Sequence, residues 1–164
     1  MPTFLQRISH LPAVAVARLI MVPAAAGVAG LFMNLWSSDR FAEHKWHTVI
    51  PIACGSLCYL LIGTMPSTIP TVLLLTVYYF FATAAFASLW AMPTTFLSKA
   101  AAAAAFGLIN SVGQMGAFFG PSIVGYLNDA THSIHASVAF IGCSLLTSAV
   151  SLSFLPSTVQ TEST

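Results

Sequence analysis

The chain has 164 residues, 57% of them hydrophobic and only 5% charged, with a mean hydropathy of +0.87 and a net charge of +1. Soluble domains carry about 25% charged residues, so this composition excludes a water-soluble fold and points to an all-α membrane protein. The near-zero net charge excludes nucleic acid as a partner, because the phosphate backbone calls for a basic face.

Residues 1–10 form a short N-terminal segment. The apolar run after it is too long for a signal-peptide core, and no small-residue cleavage site follows, so no cleaved leader is expected. Five apolar spans then follow, at about 11–36, 48–64, 70–92, 100–127 and 134–155. A membrane-crossing helix needs about 20 mostly apolar residues; all five are near or above that length, the second marginally. The polar tail 156–164 is expected to fray.

The first span carries Arg18 about two turns from its start. A charge near the bilayer centre costs about 2.5–3.5 kcal/mol on insertion scales, and less when the side chain snorkels. Snorkelling to headgroups is the simpler reading; an anion-binding or structural pair is the alternative. Ser37-Ser38-Asp39-Arg40 then opens the longest polar break, which also holds Glu43, His44, Lys45 and His47. His44-x-x-His47 has a spacing seen in metal ligands, but a solvated loop with local salt bridges is simpler, and no metal is expected.

In the second span, Cys54 and Cys58 lie four apart inside an apolar run. They read as two small residues on one helix face; a zinc site needs about four ligands and a spacing that is missing here. The third span is aromatic, with Tyr79, Phe86 and Trp90 on one face. These rings suit packing and lipid contact, with Trp90 a candidate for lining a cavity. Pro93-Thr94-Thr95 ends the span, since proline disfavours helix at the residue before it.

The fourth span is the most informative. It has no charge between Lys99 and Asp129, yet it carries Asn110 and Gln114 near its middle. Four residues apart on a helix, the two amides share a face. Facing lipid would be costly for both, so they face protein or a water-filled cavity. They either hydrogen-bond a substrate from a cavity wall or hold two helices together. Gly107, Ala117 and Pro121 fall near the same line. Gly113, Gly116 and Gly120 form a second stripe with a G-x-x-x-G spacing, the pattern of close helix packing. His132 and His135, beyond the span, read as interfacial. No nucleophile sits near a base, and glycines inside an apolar helix are the wrong context for a nucleotide motif, so neither enzyme activity nor a cofactor is expected.

Basic residues set the orientation. Arg40 and Lys45 lie in the first break and Lys99 in the third, whereas Arg7 stands alone on the opposite side. The positive-inside rule puts both breaks and the C-terminus in the cytoplasm of a multi-pass cell (inner) membrane protein. Trp46, Tyr59, Trp90 and Tyr126 fall near span ends, where aromatic rings favour the interface.

Three segments in register resemble the major facilitator superfamily, in its anion:cation symporter branch of tartrate, phthalate, sugar-acid and hydroxyphenylacetate permeases. Ser38-Asp39-Arg40 with Glu43, Trp46 and His47 is similar to that branch's S-D-R-x-x-E-x-x-W-H loop after transmembrane helix 8. Residues Trp90 to Leu97 resemble the end of helix 10, and Ile109-Asn110-Ser111 through Gly120-Pro121 to Asp129-Ala130-Thr131 resembles helix 11. The resemblance covers nearly the whole chain. It implies helices 8–12 of a twelve-helix carrier with a midplane substrate site between two six-helix halves. By position, Asn110 and Gln114 would face the cavity, while Asp39 and Arg40 would belong to a gating loop. The chain departs from the pattern where the branch often has asparagine for Gln114 and glycine for Ala117.

The resemblance implies a secondary transporter for small organic anions (carboxylates or sugar acids), proton-coupled in the intact family. The coupling acids lie mainly in helices this sequence does not contain. The expectation is therefore a truncated product, a fragment or a misplaced start, inactive without the missing N-terminal half. The alternative is a small standalone membrane scaffold or subunit that oligomerises through its glycine faces.

Overall fold

The structure, a computed structural model, describes residues 12–65 and 67–155. The N-terminal segment 1–10 and the polar tail 156–164 lie outside the described residues. Among the described residues, six helices follow one another: α1 (Ala13–Phe41), α2 (Trp46–Ile62), α3 (Thr68–Ala91), the short α4 (Pro93–Phe96), α5 (Lys99–Thr131) and α6 (Ile134–Ser153). Four of them are long and apolar enough to cross a membrane, and α2 is a shorter apolar helix of 17 residues. At 1.5 Å per residue, α2 is about 26 Å long and the 33 residues of α5 about 50 Å, against a hydrocarbon core of about 30 Å.

Two helix ends differ from expectation. Ser38-Asp39-Arg40 is the last turn of α1 and not a break, because the turn finds its own closing bonds. Ala42 adopts the left-handed conformation (φ 49°), and the N–H of Glu43 returns to the carbonyl of Ser38 at 3.1 Å, the six-to-one bond of a Schellman cap. At the other site, Met92 stays helical (φ −56°, ψ −48°) despite preceding Pro93, and Pro93 opens α4 at a position where its missing N–H costs nothing. Leu97 is extended and ends α4; Ser98 then caps α5, its hydroxyl accepting from the N–H of Ala101.

α3 is the centre of the bundle, with α1 against one side, α2 against another, and α6 packed on α2. Small residues let the backbones approach. A Cβ on Gly30 would run into the carbonyl of Phe80, and one on Gly142 into Leu60. Beside Gly30, the Thr83 hydroxyl donates to the carbonyl of Gly27 at 2.6 Å. Such close approach is how helices associate in lipid, which offers no hydrophobic drive between them. Buried Thr48, Ser56 and Thr71 donate back to carbonyls of their own chain segment, and among the described residues no buried hydroxyl is unpaired. At one end Val16, Tyr59, Ile62, Leu75 and Val138 make the apolar core. The outer faces are apolar too: Phe32, Leu57, Ile69 and Phe118 are exposed, as suits lipid contact.

Candidate functional site

The contacts of α1 with α3 advance together in number, from Gly27 with Thr83 to Asn34 with Ser88, so these helices run in the same direction. Their ends, and with them loop 42–45 and the α3–α4 junction, therefore lie at one end of the bundle. Polar side chains gather there. Glu43 closes the start of α2: one carboxylate oxygen accepts from the N–H of Trp46 at 2.7 Å, the other from the N–H of His47 at 3.2 Å. The second oxygen also pairs with His47 Nδ1 at 2.8 Å. His47 Nε2 lies 3.0 Å from the Ser37 hydroxyl on α1. Asn34 Nδ2 lies within hydrogen-bonding distance of the carbonyl of His47 (3.0 Å), the carbonyl of Ala84 (2.7 Å) and the hydroxyl of Ser88 (2.7 Å), linking three helices.

Partial burial pushes the Glu43 carboxyl up, but the hydrogen bonds from Trp46 and His47 and the His47 charge outweigh it, and the net shift is below the ordinary glutamate value. Asp39 and Arg40 are exposed at this end, with the Arg40 guanidinium 5.4 Å from the centre of the Trp36 ring. His44 and His47 are not joined: His47 is held by Glu43 and Ser37, while His44 Nδ1 is buried with no hydrogen-bond partner among the described residues. Among the described residues no three metal-ligating side chains cluster.

α5 stands apart from this arrangement. Asn110 and Gln114 are exposed along its middle, and Gly113, Gly116 and Gly120 have nothing within 4 Å of where a Cβ would sit. Within the described residues these glycines therefore pack against nothing, whereas Gly30 and Gly142 do pack. α5 is tied down near its ends. Ser137 on α6 donates to Asn128 Oδ1 at 2.8 Å, and its hydroxyl lies 3.1 Å from the carbonyl of Val124. Near the opposite end, the Trp90 ring meets Phe106 at a tilt, with ring centres 5.6 Å apart, and Phe86 edge-on at 5.8 Å. Phe106, Asn110 and Gln114 follow at four-residue steps, so Trp90 meets the foot of the amide stripe. Arg18 is exposed on α1 beside Val14, Leu19 and Val22.

Sequence reasoning did not find Asn34, Ser37 or Ser88, nor the packing at Gly27 and Gly30. A lone amide and scattered serines in apolar helices carry no spacing signal.

The arrangement is that of a bundle of apolar helices long enough to cross a membrane, with one amide-bearing helix loosely held. The chain is 34% identical over 142 residues to a protein named as a tartrate transporter in Agrobacterium vitis, a match covering 85% of this chain and 31% of that protein. Over most of its own length, the chain is thus similar to part of a solute transporter. A metabolite transport protein of Pseudomonas putida, NicT, is 32% identical over 153 residues, covering 89% of this chain and 34% of that protein. A quinolone resistance transporter of Acinetobacter baumannii is 30% identical over 146 residues, covering 89% and 34%. The chain spans about a third of the length of the proteins it matches. No family model and no solved structure matches it.

Proposed function

We propose that these spans are helices 8–12 of a twelve-helix secondary transporter that carries small organic anions, carboxylates or sugar acids, in symport with protons. One observation carries the reading: α5 is long and apolar enough to cross a membrane yet presents Asn110 and Gln114 on an open face. Two amides in hydrocarbon are tolerated where they line a water-filled path, and an amide N–H donates well to a carboxylate. The name of the Agrobacterium relative, a tartrate transporter, supports a carboxylate as substrate. In this reading Asn110, Gln114 and Trp90 line the path, Gly113, Gly116 and Gly120 receive a helix from the second wall, and Asp39 with Arg40 gates the cytoplasmic end. The carrier sits in the cell membrane with loop 42–45 and the C-terminus inside.

Because the second wall and the coupling acids come from outside this sequence, the chain alone transports nothing. The test is uptake of labelled hydroxy-dicarboxylate into vesicles by the chain alone and by the chain fused to the complementary helices of the Agrobacterium relative. Uptake by the fusion only is expected; uptake by the chain alone would end the reading. The open glycine face also favours a second reading, a scaffold that self-associates. Cross-linking at Gly116→Cys would then give dimers of this chain in membranes, which the transporter reading does not require.

A further inference from the structure

α2 holds Pro51 five residues after it begins. Proline has no N–H, so the carbonyl four residues earlier, that of His47, loses its helical donor. An unpaired carbonyl inside a membrane bundle is costly, since no bulk water replaces the bond. Asn34 of α1 lies 3.0 Å from that carbonyl through Nδ2. The same nitrogen is 2.7 Å from the carbonyl of Ala84 and 2.7 Å from Ser88 Oγ on α3. An amide has two hydrogens for these three acceptors. The Ala84 carbonyl lies in mid-α3 with a helical donor four residues on, and the Ser88 hydroxyl brings its own hydrogen. Only the His47 carbonyl has been stripped of its donor, so that is where the Asn34 amide matters most.

We propose that Asn34 is a positioning residue that stands in for the N–H missing at Pro51, and so pins the start of α2, with loop 42–45, to α1 and α3. The pin is distinct from the Glu43 cap. Glu43 closes α2 from within its own loop, whereas Asn34 reaches across from a neighbouring helix and on to α3. Without it, the first turn of α2 is weakened at Pro51 and its link to α3 is lost, and the loop is free to move against the bundle.

The test is amide hydrogen exchange of the full chain in lipid nanodiscs, a readout that needs no substrate. Asn34→Ala is expected to speed exchange of residues 42–50 by about tenfold, the cost of orphaning a half-buried carbonyl, and to leave residues 134–150 unchanged. In a Pro51→Ala background the N–H at position 51 serves His47 again, and the same Asn34→Ala change should then speed exchange less than about threefold. Asn34→Leu keeps the approximate shape without the donor and should match Asn34→Ala. An equal factor in both backgrounds, or an equal rise in 134–150, would overturn the proposal. So would parent-like exchange in Asn34→Leu. If Asn34→Ala alone does not accumulate, recovery of folded protein on adding Pro51→Ala supports the proposal, and no recovery overturns it.

Discussion

Glu43 shows how a single side chain organises a helix start in this protein. Both of its oxygens accept backbone N–H groups of α2, and one also holds the His47 ring. Replacing it by alanine removes the cap and should cost about 1 kcal/mol, measured by thermal unfolding in detergent. The pH dependence follows from its lowered pKa. A carboxyl held below its ordinary value contributes stability that is fully present above about 4.5 and is lost as the pH falls through the lower, folded value. The stability gap between the parent and Glu43→Gln should therefore be full at neutral pH and close on acidification; a gap that widens in acid would contradict the assignment. One residue away, Ala42 sits at φ 49°, where a Cβ is strained. Ala42→Gly should raise stability by up to about 1 kcal/mol in the same assay.

At the scale of elements, the five spans are legible because each is an apolar run of bilayer length bounded by polar residues or proline. Their ends are less so. Ser38-Asp39-Arg40 reads as a loop by polarity, yet the backbone closes a left-handed cap only after Phe41. Asn34 is invisible to periodicity, although the signal that explains it is in the sequence: Pro51 leaves His47 short of a donor, and some neighbour must supply one. Glycine spacing pointed to α5, while the tightest approaches in the described bundle are at Gly30 and Gly142. The two sets should respond differently. Gly30→Val drives a side chain into the Phe80 backbone and should cost about 1–3 kcal/mol. Gly116→Ala meets open space and should be neutral or stabilise this chain by up to about 1 kcal/mol through helix propensity. Thermal unfolding of both variants in detergent checks the contrast.

At the scale of the molecule, α3 gathers α1 and α2, α6 leans on α2, and α5 is held near its two ends with its amide face open. In the proposed reading, the open face with Asn110 and Gln114 is one wall of a path. The most direct measurement is the KM for carboxylate uptake by the carrier completed with a relative's helices, carrying Asn110→Ala or Gln114→Ala. Each loses a hydrogen bond to a charged group, so KM should rise about tenfold or more while the amount of carrier in the membrane stays constant. An unchanged KM in both variants would contradict the assignment of α5 to the substrate path.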